Sequence, residues 1–92
     1  MRILLVEDEP KLAMFIKRGL EAERYAIDVT FDGKDGFEFA TTYCYDLVIL
    51  DLVLPRLNGD EVLRGLRRTD GLVPVLILTS RDATEEKVDC SN

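Results

Sequence analysis

The chain has 92 residues, 47% of them hydrophobic and 33% charged, and a formal net charge of −6. That length supports one small domain with a single core, and apolar residues gathered into organised runs argue against disorder. The acidic balance disfavours direct nucleic-acid binding, which needs a basic face, and no stretch is long enough to span a bilayer.

Residues 2–6 read as a first strand. Glu7-Asp8-Glu9 cuts the apolar run too short for a secretory signal, so a cytoplasmic location is expected. Pro10 suits a first helical turn, and Leu12, Ala13, Ile16 and Leu20 mark one face of a helix to about Glu23. From Tyr25 to Phe31 the residues alternate, with Ile27, Val29 and Phe31 on one side and Ala26, Asp28 and Thr30 on the other. This predicts an edge strand with one wetter face. Asp32-Gly33 reads as a turn, and Lys34 to Tyr43 as a short helix with Phe37 and Ala40 inward. Asp46 to Leu50 is the third predicted strand. Pro55 and Gly59 interrupt the segment after it. A third helix is expected from Asp60 to Arg68, with Val62, Leu63 and Leu66 inward. Val73 to Leu78 is the fourth strand, and Asp82 with Glu85 resembles a capping box opening a fourth helix. Cys44 and Cys90 have no partner motif, so no structural disulfide is expected. Strands alternating with helices predict an α/β fold, a doubly wound parallel sheet.

Three apolar runs stop at oxygen-bearing side chains. Ile3-Leu4-Leu5-Val6 meets Glu7-Asp8, Leu47-Val48-Ile49-Leu50 meets Asp51, and Val75-Leu76-Ile77-Leu78 meets Thr79-Ser80. Open parallel sheets bind ligands beyond the carboxyl ends of their strands. Any one of these residues alone is explained as a cap or turn former, but independent capping has no reason to choose the same rim three times. Magnesium takes oxygen ligands, commonly one or two carboxylates with water and phosphate oxygens. Asp8 and Asp51 would supply the carboxylates, with Glu7 acting through water. Asp51 can also attack phosphorus once charge repulsion is neutralised, and Thr79 can donate to a phosphoryl oxygen.

The segments ILLVEDEP, DLVILDLVLPRLNG and PVLILTSRD, in this order and spacing, resemble the response-regulator receiver domain of two-component signalling. The likeness covers residues 2–89 and is greatest to receivers that precede a winged-helix DNA-binding domain. It implies a flavodoxin-like fold and a role in transcription regulation. It also implies that Asp51 is the phosphoacceptor for a histidine kinase, with Asp8 binding Mg2+ directly and Glu7 through water. The backbone carbonyl of Val53 would complete the metal site, Thr79 would be the switch hydroxyl, and Pro55 and Gly59 would shape the loop after the acceptor. Such a domain is not a conventional enzyme; it at most catalyses its own phosphorylation and dephosphorylation.

The family pattern continues into a fifth strand, a lysine and a fifth helix, whereas this sequence departs from it at Cys90 and reads Ser91-Asn92. The expectation is therefore a single receiver domain over 1–92 without an output domain, strand order 2-1-3-4, and no catalytic lysine. The fourth strand would then offer an open edge for self-association. Two alternatives remain at this level. One is a non-signalling fragment that at most binds Mg2+ and self-associates. The other is a haloacid-dehalogenase-type phosphatase, which needs a second aspartate where Val53 stands. A nucleotide-binding enzyme is disfavoured, since neither G-x-G-x-x-G nor a P-loop lysine is present.

Overall fold

Four strands and three helices alternate through the computed structural model, which describes residues 1–69 and 73–78. The order is β1 (Arg2–Val6), α1 (Pro10–Ala22), β2 (Ala26–Thr30), α2 (Gly33–Thr42), β3 (Leu47–Asp51), α3 (Gly59–Thr69) and β4 (Val75–Leu78). All pairings are parallel, and the strands lie in the order β2-β1-β3-β4. The doubly wound α/β sheet is thus present as expected. The predicted fourth helix and Thr79 fall outside the described residues.

Alternation along β1 and β3 divides the interior in two, because successive side chains on a strand point to opposite faces. Leu4, Val6, Val48 and Leu50 pack with Val62 and Leu66 of α3, and with Phe37 and Ala40 of α2. Ile3, Leu5, Ile27 and Ile49 pack on the other face with Ala13, Ile16 and Leu20 of α1. Ile3 through Val6 are each at most 1% exposed, so the unbroken apolar run of β1 is covered on both faces.

Helix boundaries follow local chemistry. Pro10 occupies the start of α1, where its missing N–H costs nothing, and Arg24 leaves the helix with a φ of 72°. Asp32 is not a free turn residue: its Oδ1 accepts from the Asp35 N–H at 2.8 Å, capping a helix that already includes Gly33. Asn58 does the same for α3 by accepting from the Glu61 N–H at 3.1 Å.

One expectation changes. On β2, Ile27 and Val29 face α1 as predicted, but Phe31 lies past the strand and is exposed, while Thr30 is buried. The reason is α2, whose Gly36 sits over Val6 and Thr30; a Cβ there would lie 2.8 Å from Val6 Cγ1 and 3.3 Å from Thr30 Oγ1. On β4, an outermost strand among the described residues, Leu76 is 49% exposed. Among the described residues β4 pairs with β3 alone.

Candidate functional site

Register brings the acidic residues level. Val6 pairs with Leu50, so the next residue along each strand, Glu7 and Asp51, stands at the same rim of the sheet. Asp51 is the last residue of β3, one further than the predicted strand end, and is paired with Leu78 of β4. Glu7 and Asp51 are 1% and 2% exposed, whereas Asp8 is open to solvent. One carboxylate oxygen from each of Glu7, Asp8 and Asp51 lies within 4.8 Å of the others.

Three acids at that spacing are unfavourable unless protonated or neutralised. Burial pushes the Glu7 carboxyl above the usual carboxylate range, and the nearby Asp51 and Asp8 charges push it the same way; the backbone N–H of Glu9 works against them. That N–H donates to Glu7 Oε2 at 3.0 Å. The other oxygen, Oε1, is buried without a hydrogen-bond partner among the described residues. A buried carboxylate with one oxygen orphaned, clustered with two more carboxylates, is the donor set of a hard divalent cation, so the residues present fit such an ion.

The loop after β3 orients the Asp51 carboxylate. Asp51 Oδ1 accepts from the Val53 N–H at 3.1 Å, and Val53 itself is 52% exposed. Pro55-Arg56-Leu57 turns sharply: the Leu57 N–H donates to the Pro55 carbonyl at 2.7 Å across Arg56, whose φ is 70°. This is the three-residue γ-turn in its less common hand. Arg56 is tied to the start of α2 by its contact with Asp32 at 3.2 Å.

Two glycines read from the sequence as turn and loop residues determine how close this loop can come. A Cβ on Gly59 would lie 2.4 Å from the Asp51 carbonyl oxygen and 2.5 Å from Leu52 Cα. Gly59 instead donates its N–H to the Leu52 carbonyl at 3.0 Å, docking the start of α3 against the end of β3. At Gly33 a Cβ would collide with the Leu57 carbonyl, while the Gly33 N–H donates to the Pro55 carbonyl at 3.2 Å. The Gly33 clash involves backbone from a separate loop of the chain, so no local motif signals it.

Of the site residues read from the sequence, Glu7, Asp8 and Asp51 come together, with the Val53 backbone beside Asp51. Thr79 lies outside the described residues. Lys17 and Lys34 pair with Glu21 and Glu38 of their own helices.

A family model described as the response regulator receiver domain matches residues 3–92. Response regulator ArlR of Staphylococcus saprophyticus is 46% identical over 87 residues, which is 95% of this chain and 39% of that protein. The chain therefore spans well under half the length of this curated relative. Among solved structures, the response regulator TrrA of Thermotoga maritima in complex with Mg2+ and BeF superposes with a TM-score of 0.86. Its identity is 33%, and the match covers 98% of this chain and 76% of that one. TrrA has also been solved in complex with the histidine kinase ThkA. The receiver domain of the sensor histidine kinase PA1611 from Pseudomonas aeruginosa PAO1 has a magnesium ion coordinated in its active-site cleft. It superposes with a TM-score of 0.84 at 30% identity, over 90% of this chain and 70% of that one. A family match over almost the whole chain, on this strand order and with these acids at the strand ends, makes the chain a member of the response-regulator receiver domain family.

Proposed function

We propose that Asp51 accepts a phosphoryl group from the phosphohistidine of a histidine kinase, and that the Glu7–Asp8–Asp51 cluster holds Mg2+ for that transfer. The observation that carries this reading is the convergence of the three carboxylates with a buried, unpartnered Glu7 oxygen. The magnesium complex of the PA1611 receiver and the TrrA–ThkA complex support the cofactor and the partner respectively.

Asp8, Asp51 and the Val53 carbonyl would hold the ion, with Glu7 acting through water. When bound, Mg2+ supplies positive charge that offsets repulsion between Asp51 and the phosphoryl oxygens. The Val53 N–H fixes the orientation of the Asp51 carboxylate through Oδ1. One Asp51 oxygen bonds to phosphorus as the P–N bond to the kinase histidine breaks. The electron pair stays on the imidazole nitrogen, which takes up a proton. Thr79 donates a hydrogen bond to the new phosphoryl group. The haloacid-dehalogenase alternative is disfavoured by Val53, an exposed apolar side chain where the acid would be.

Incubation with Mg2+ and acetyl phosphate tests the assignment, with acetate as the leaving group. Intact mass is expected to show one base-labile phosphoryl adduct that Asp51→Asn abolishes. Mg2+ binding without any adduct would instead favour the non-signalling fragment. We also propose self-association through the outer edge of β4, motivated by the half-exposed Leu76 on a strand paired with β3 alone among the described residues. Sedimentation equilibrium is expected to show dimers that Leu76→Lys weakens; a monomer at all concentrations contradicts this proposal without touching the phosphoacceptor assignment.

A further inference from the structure

Away from the acidic rim, α2 and α3 leave a shallow groove of about 320 Å³ between them. Phe37 of α2, Leu57 of the preceding loop and Gly65 of α3 line it with apolar surface, and Glu61, Arg64 and Arg68 stand along the α3 side. Gly65 makes the depression possible. A Cβ there would lie 2.7 Å from Phe37 Cε1, so the Phe37 ring lies against bare helix backbone.

Two exposed arginines border the apolar floor of this groove. The chain carries a net −6, yet Arg64 and Arg68, one turn apart on the same helix face, are both exposed and neither has an ion pair among the described residues. Lys11, Arg18 and Arg24 are likewise exposed without an ion pair among the described residues, whereas Arg2 pairs with Asp28, Lys17 with Glu21, Lys34 with Glu38 and Arg56 with Asp32. Arg67, next to them, donates to the Val73 carbonyl at 2.8 Å. Favourable interaction with the helix dipole accounts for Arg68 in the last turn but not for Arg64 a turn earlier.

We propose that this groove docks an acidic amphipathic helix of another protein, seating an apolar side chain over Phe37 and Gly65 and presenting carboxylates to Arg64 and Arg68. An apolar floor beside two forked donors suits that chemistry, since guanidinium groups pair carboxylates bidentately while the apolar anchor supplies burial. A second copy of this chain is a poor occupant. Its exposed apolar cluster on α1, Met14 and Phe15, is flanked by Lys11 and Arg18, which carry the same sign of charge as the groove. Nucleic acid is equally poor, because the chain as a whole is acidic.

The test is a 15N-labelled spectrum of the full chain, titrated with a synthetic helix of about four turns. The peptide carries leucines at i and i+4 flanked by glutamates, and a matched peptide carries lysines instead. The expected result is shifts confined to Phe37, Leu57 and residues 61–68, with binding weakened about tenfold or more by Arg64→Glu with Arg68→Glu and by added salt. The lysine peptide is expected to leave the spectrum unchanged. Both arginines are exposed, and the variant's own spectrum reports whether it is folded. Absence of shifts, shifts centred on α1, or binding that survives the double reversal would overturn the proposal.

Discussion

Glu7 shows how a single side chain can oppose stability and serve a site. Its carboxyl is buried, accepts one backbone N–H, and faces two more acids with its second oxygen unpartnered. Because its pKa is raised on folding, the stability associated with its protonated form is lost as pH rises through the folded-state value. Glu7→Gln is therefore expected to raise the urea midpoint of the metal-free protein at neutral pH and to flatten its pH dependence. The same variant is expected to lose most of the stabilisation that added Mg2+ gives the wild type. An unchanged response to Mg2+ would remove Glu7 from the site. Gly59 acts at the same scale by absence. Gly59→Ala pushes a methyl group into the backbone of Asp51 and Leu52, and an expected loss of about 2 kcal/mol or more would appear in the denaturation midpoint.

Among the elements, the parallel strands are joined at their amino ends by a polar clamp. Arg2 of β1 contacts Asp28 of β2 at 3.2 Å, and its guanidinium lies over the Tyr45 and Tyr43 rings, 5.3 and 5.8 Å from their centroids. Tyr45 donates its hydroxyl proton to Asp28 Oδ2 at 2.6 Å, and the Arg2 N–H donates to Asp46 Oδ2 at 2.8 Å. Burial, followed by the Asp28 hydrogen bond and charge, raises the Tyr45 phenol well above its usual value of 10.0. The raised value means that this contribution is intact below pH 10 and is lost as pH climbs toward the folded-state value. Alkaline denaturation is expected to steepen in that range for the wild type. Tyr45→Phe is expected to cost about 1 kcal/mol near neutrality and to lose that steepening. Equal alkaline profiles for the two proteins would mean that the clamp is not coupled to folding.

For the whole molecule, what could be read from residues depended on whether the signal was local. The runs in β1 and β3 announced themselves because both faces are covered, and each run ends at the acid that the register then sets beside its neighbour. Thr30 was misread as facing water because alternation cannot reveal that a glycine of α2 will lie over it. Gly33 and Gly59 read as turn and loop residues because the backbone each makes room for lies outside its own turn, at Leu57 for Gly33 and at the end of β3 for Gly59. Leu76 resembles its neighbours in the sequence, yet on the outer strand it is half exposed while Val75, Ile77 and Leu78 pack against the core. The site was therefore legible as a set of residue types at strand ends, whereas the close backbone approaches that hold it were not.

The central claim, that Asp51 is a magnesium-dependent phosphoacceptor, is tested most directly by locating the phosphoryl group. After incubation with acetyl phosphate and Mg2+, borohydride reduction converts an aspartyl phosphate to homoserine, which peptide mass spectrometry can place in the chain. The account predicts homoserine at position 51, and its loss when Mg2+ is chelated. Homoserine at another acid, or labelling of Asp51 that is indifferent to chelation, would contradict it.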